Sequence, residues 1–265
     1  MPIPKSASGE MPFLDHLEEL RWRIIYSLAA VIVCVGLGFW VTLQFDLVKI
    51  LAEPILKLVP GHTLYYTHPS DAFSITLNTA VTCGLVVAAP VLLYQAWLFL
   101  APALHRSEKR IAMGVLFSGT LLFISGAALA FLVVVPLALP WLMGFGSASL
   151  KPLITAEEYF GFIFAMVLTF GVSFELPIVV LALSALGIVT PQLLTKYRRH
   201  AVVLIVIAGA FLTPGDMVWT TIALAVPLYL LYELSVGAAY MIQRRRNQRH
   251  ARLDAEQFDA PARLI

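Results

Sequence analysis

The chain alternates long apolar runs with short polar connections, and the runs are too uniformly apolar to be one face of a soluble helix. Residues 24–45 carry no charge over 22 positions, roughly 33 Å as an α-helix and enough to cross a bilayer once. Residues 72–104 are uncharged for 33 positions, which predicts one long helix, bent around Pro90 and ended by Pro102. Residues 111–135 predict a third span closed by Pro136 and Pro140, and residues 159–187 a fourth with Glu175 near its middle. Two shorter runs, 201–212 and 217–232, hold 12 and 16 residues, roughly 18 and 24 Å as helices. They predict two short spans with local bilayer thinning, or a re-entrant hairpin.

The polar connections have patterns of their own. In FLDHLEELRWR, residues 13–23, Phe13, Leu14, Leu17 and Leu20 fall at helical spacing, with Asp15, Glu18, Glu19, Arg21 and Arg23 on the other face. That predicts an amphipathic interfacial helix turning into the first span. The simplest role for Glu19 there is an i,i+4 pair with Arg23. Lys49, Glu53 and Lys57 recur every four residues beside apolar neighbours, which predicts a surface helix broken near Pro54. Residues 1–12 are small and polar and are expected to be disordered; residues 241–265 form a charged tail.

Charge then orients the spans. The N-terminal segment, the 102–110 and 190–200 connections and the tail hold fifteen of the lysines and arginines; Lys49, Lys57 and Lys151 are the other three. Basic residues collect on the cytoplasmic side, so both termini are expected there and the number of crossings is even. A re-entrant last hairpin returns to the same side, so charge alone leaves four or six open; six is the count taken. At 60% hydrophobic and 13% charged residues, the chain has roughly half the charge of a soluble protein. The fold class is therefore an all-α membrane protein. A net charge of +2 argues for no nucleic acid, and Cys34 and Cys83 lie within apolar runs as small hydrophobes. No cleavable signal peptide is expected, because the first apolar run is far too long for one.

Three acids are out of place. Residues 90–110, PVLLYQAWLFLAPALHRSEKR, pass an interfacial cluster of Tyr94, Gln95 and Trp97 and end with Glu108 set among Arg106, Lys109 and Arg110. Glu175 falls deep within a span, where an isolated carboxylate must face water or protein, find a partner, or be protonated. Glu233 lies near the end of the last span, within expected reach of Arg244–Arg246 or lipid headgroups. Catalysis finds no support: no HExxH, no Ser/His or Ser/Lys pairing at membrane depth, no phosphate-binding glycine loop, and six scattered histidines. No enzyme activity, cofactor or metal is expected.

Taken together, FLDHLEELRWR, the 90–110 stretch, FGVSFELPIVV around Glu175, LTPGD at 212–216 and VPLYLLYE at 226–233 resemble TatC, the receptor subunit of the twin-arginine protein translocase. The resemblance covers about residues 12–240. It implies six transmembrane helices over 13–240 in a concave, glove-like bundle of the bacterial inner membrane, the last two spans short. It further implies recognition of folded cargo through twin-arginine signal peptides, a receptor complex with TatB and with self-association, later recruitment of TatA, and transport driven by the protonmotive force. By motif matching, Glu19 and Glu108 take signal-peptide roles, with Arg21 and Phe99 nearby; Glu175 is the family's intramembrane glutamate; Thr213, Asp216 and Thr220 fall where partner helices dock. The turn has Gly215 where many relatives have a second proline. Two arginines call for carboxylates, since the guanidinium fork fits one in bidentate geometry and stays charged. The rival, a proton-coupled solute transporter using Glu175, predicts internal repeats, and the paired motifs of one half are absent from the other.

Overall fold

The computed structural model describes residues 13–100, 109–144, 153–185, 189–212 and 219–259. Their regular structure is helical, apart from one isolated β-bridge between Tyr65 and Thr155. The helices are α1 (Phe13–Phe45), α2 (Leu47–Leu56), α3 (Asp71–Leu100), α4 (Lys109–Leu129), α5 (Val135–Gly144), α6 (Ala156–Ser173), α7 (Leu176–Ala185), α8 (Pro191–Lys196), α9 (Arg198–Leu212) and α10 (Trp219–Asp259). Five stretches are long and apolar enough to cross a membrane: His16–Phe45, Asp71–Phe99, Phe117–Gly144, Ala156–Ser184 and Thr221–Met241. The chain is a multi-span membrane protein. It divides into two compact units, Met1–Ile124 with Lys151–Phe164, and Ser125–Leu150 with Ala165–Ile265.

In the first unit the amphipathic segment and the first span are one helix, because no residue between Phe13 and Phe45 interrupts the backbone ladder. α1 packs on α3 through glycines. A Cβ on Gly84 would lie 2.5 Å from Val35 Cα, and one on Gly38 would strike the carbonyl oxygen of Ala80. Small residues let membrane helices approach closely, where dispersion rather than water drives association. Away from that seam α1 presents Ile32 and Val33, each 64% exposed, a surface suited to lipid.

At the other end of α1 the chain reverses at Asp46, whose left-handed backbone (φ 47°) lets it cap α2 by accepting from Lys49 N at 3.4 Å. Pro54 lies inside α2 and does not break it; it sits in the last turn, ten residues being too few for its missing N–H to split the element. Asp71, the first residue of α3, ties down the turn before it, accepting from Thr67 N and His68 N at 2.9 and 2.8 Å. The Tyr65 carbonyl accepts from Ala156 N at 2.8 Å, and the Tyr159 hydroxyl donates to the Leu51 carbonyl at 2.7 Å. Helix α2 and the loop before α3 are thereby tied to the start of α6.

The second unit differs from the sequence pattern in three places. The third span does not close at Pro136: a π-helical turn, Ala130–Val134, precedes it and helix resumes to Gly144. The wider turn accommodates a ring that would otherwise clash with the carbonyl four residues back. The fourth span is interrupted: α6 ends at Ser173, Phe174 and Glu175 form a turn, and α7 starts at Leu176. Pro177 stands in the first turn of α7, where its missing N–H costs nothing. Lastly, α10 does not stop near Tyr232 but continues through a 21-residue apolar stretch to Asp259, so much of the charged tail is helical. α9, at 15 residues, reaches roughly 22 Å, short of a hydrocarbon core of about 30 Å.

Candidate functional site

Two predicted residues from distant parts of the first unit, Glu19 and Phe99, both stand beside His16 near the start of α1. Glu19 sits on the helix face shared by His16 and Arg23, at i−3 and i+4. Its Oε1 accepts from Arg23 Nε at 3.1 Å and from Arg23 Nη2; the pair is 18% and 20% exposed. Glu19 Oε2 is buried and accepts no hydrogen bond among the described residues. His16 Nδ1 stands 3.8 Å from it, beyond hydrogen-bond range. The His16 ring stacks on Phe99 near the end of α3, centroids 4.3 Å apart and planes 16° from parallel.

The result is a carboxylate held by a resident guanidinium through one oxygen, with the other oxygen buried and unpaired beside a stacked aromatic pair. Once the His16 side chain turns aside, that oxygen has the capacity to accept an N–H from a guanidinium, whose flat face suits aromatic stacking. Arg21 is exposed. Glu108 lies outside the described residues. Sequence reasoning missed His16; its i,i+3 spacing to Glu19 was the available signal. It also placed Trp97 with the exposed Tyr94 as an interfacial anchor, whereas Trp97 is buried, with an indole N–H that finds no acceptor among the described residues.

Glu175 occupies the break between α6 and α7. Both carboxylate oxygens are buried and without hydrogen-bond partners among the described residues, while the side chain as a whole is half-buried. Its carbonyl accepts from Ile178 N and Val179 N at 3.0 and 3.1 Å, which starts α7. Close by, Gly126 lets α4 approach: a Cβ there would lie 2.7 Å from both the Phe170 carbonyl oxygen and the Phe174 ring. An unpartnered buried carboxylate costs several kcal/mol, roughly, when ionised. Burial without a partner therefore favours the neutral, protonated carboxyl until a cation, water or hydrogen-bond donor reaches it.

Glu233 does not turn to Arg244–Arg246. It accepts from Arg198 Nη2 at 2.9 Å and from the Tyr229 hydroxyl at 3.0 Å. Because α10 is continuous, Arg244 lies roughly 16 Å further along its axis, out of reach, whereas α9 packs alongside. Thr220 is in the first turn of α10; its side chain, and the whole of Thr213 and Asp216, lie outside the described residues. Of groups able to hold a metal, His68, Asp71 and Glu157 have ligand atoms within 4.8 Å of one another, unforeseen from sequence. Asp71 already spends one oxygen on the backbone N–H groups of Thr67 and His68.

A family model described as Sec-independent protein translocase protein (TatC) matches residues 15–227. The chain is 36% identical over 240 residues to the TatC protein of Aquifex aeolicus (strain VF5), covering 90% of this chain and 98% of that protein. It is 34% identical over 247 residues to TatC of Escherichia coli (strain K12), covering 92% and 94%. A crystal structure of a twin-arginine translocase receptor, TatC, superposes with a TM-score of 0.72 at 36% identity, covering 85% of this chain and 98% of that one. The same receptor in dodecyl maltoside gives 0.74. The chain therefore belongs to the TatC family of Sec-independent protein translocase proteins, a transport family and not a catalytic one.

Proposed function

We propose that this protein is the signal-peptide receptor of a twin-arginine translocase in the bacterial inner membrane, with six crossings and both termini cytoplasmic. Glu19 and Glu108 bind the two arginines of the signal peptide, with Phe99 and Arg21 alongside. Glu175 acts in a step after cargo binding. Thr213, Asp216 and Thr220 form the docking edge for TatB-like and TatA-like single-span partners, the receptor self-associates, and the protonmotive force drives transport.

The observation that carries this reading is the state of Glu19: one oxygen oriented by Arg23, the other buried without a hydrogen-bond partner among the described residues and next to His16 of the His16–Phe99 stack. A structural salt bridge has no need of an unpaired buried oxygen. A receptor for a guanidinium does.

A charge swap tests it. Glu19→Lys or Glu108→Lys should weaken binding of a twin-arginine peptide more than the glutamine variants, which can still accept one hydrogen bond. Losing one charge-assisted contact is worth roughly 1–3 kcal/mol, about tenfold or more. A peptide with one arginine replaced by glutamate should be partly rescued by Glu19→Arg or Glu108→Arg. Parental affinity of both reversal variants at low salt overturns the assignment.

A further inference from the structure

We infer that the first unit carries a specific phospholipid site at the membrane edge, at the far end of α1 from Glu19. A cavity of about 490 Å³ opens there between the end of α1, α2 and the starts of α3 and α6, lined by Thr42, Lys49, Ala52, Ile75, Thr76 and Phe160 among others. Its size falls within the range of small-ligand pockets, roughly 300–1,000 Å³: room for an acyl chain, too little for a folded segment.

Three independent features give the occupant its chemistry. The interior is apolar, with Ile75 and Phe160 buried. Thr42 lines it while only 2% exposed, and its hydroxyl has no hydrogen-bond partner among the described residues. A buried, unpaired hydroxyl in a membrane helix is a standing cost unless a ligand oxygen meets it. Lys49 at the rim is exposed and enters no ion pair among the described residues, because Glu53 is taken by Lys57 at 2.8 Å. Asp46 stands near it but spends its carboxylate on the α2 cap. The cavity lies at the ends of three membrane-crossing stretches, His16–Phe45, Asp71–Phe99 and Ala156–Ser184. An anionic phospholipid satisfies all three: chain inside, ester oxygen on the Thr42 hydroxyl, phosphate on Lys49. This inference does not depend on the signal-peptide reading.

The test uses the full-length protein in mild detergent and phosphatidylglycerol with a photoreactive diazirine on one acyl chain, crosslinks being mapped by mass spectrometry. Labelling should saturate at a single lipid per chain and concentrate in residues 42–56 and 72–76, with unlabelled phosphatidylglycerol competing better than phosphatidylcholine. Ala52→Phe, which fills the cavity, should abolish this labelling. Lys49→Gln, on an exposed helix face and harmless to folding, should reduce it about fivefold, the effect of one lysine at a charged lipid surface. Thr42→Val should lower labelling without lowering stability in lipid-free detergent. Labelling that fails to saturate, that spreads along the Ile32–Val33 face of α1, or that ignores Lys49→Gln overturns the site.

Discussion

The α1–α3 seam offers the sharpest test of how packing supports the Glu19–His16–Phe99 cluster. A Cβ at Gly84 would lie 2.5 Å from Val35 Cα and 2.7 Å from Val35 N, whereas carbon atoms rest about 3.5–4.0 Å apart. The obstacle is backbone, so no rotamer change relieves it, and α1 must retreat by about 1 Å. Overpacking of this kind costs about 1–3 kcal/mol, and alanine's better helical entropy returns about 0.5–1 kcal/mol. Gly84→Ala should therefore lose about 1–2 kcal/mol, at about 2–4 °C of melting temperature for each. Since α1 carries His16 and Glu19 and α3 carries Phe99, the retreat should also loosen the 4.3 Å stack and weaken twin-arginine peptide binding. Thermal unfolding in one detergent, with peptide titration alongside, reads both effects. Gly36→Ala is the control: a Cβ there meets nothing within 4 Å, so its melting temperature should hold or rise. If Gly84→Ala melts with or above Gly36→Ala, the close approach is not what holds these helices together.

Other expectations are as direct. Cysteines introduced at Gly61 and Ser147 should react with an impermeant thiol reagent in intact cells and one at Ser107 should not; the reverse pattern would invert the topology. Glu175→Gln should retain more transport than Glu175→Leu, with peptide binding intact in both, and normal transport by the leucine variant would make the residue incidental. Arg198 and Glu233, 48% and 30% exposed, should couple by roughly 0.2–1 kcal/mol in a double-mutant cycle, and zero coupling would mean that α9 and α10 are joined by apolar contact alone. Thr213→Val with Thr220→Val should lower co-purification of single-span partners, an interhelical hydrogen bond being worth about 1–2 kcal/mol or less; unchanged recovery moves the docking edge elsewhere.

Membrane class, helical composition and four of the spans follow from local properties alone: an apolar run of bilayer length has no other way to satisfy its backbone than a helix. The same holds for the Glu19–Arg23 pair, because i,i+4 neighbours on a helix meet whatever surrounds them. Proline was misread where its effect depends on its surroundings. Pro136 and Pro54 looked like terminators, yet a π-turn absorbed one and position within a short helix spared the other, while Pro177 marked a real break. Periodicity could not place His16 on Phe99, Arg198 on Glu233, or Trp97 inward, since each depends on which helices lie side by side. The Thr42 cavity and the unpaired oxygen of Glu19 were further out of reach. Both are defined by what fails to contact them, and a space or an unmade hydrogen bond exists only once every neighbouring element has taken its place.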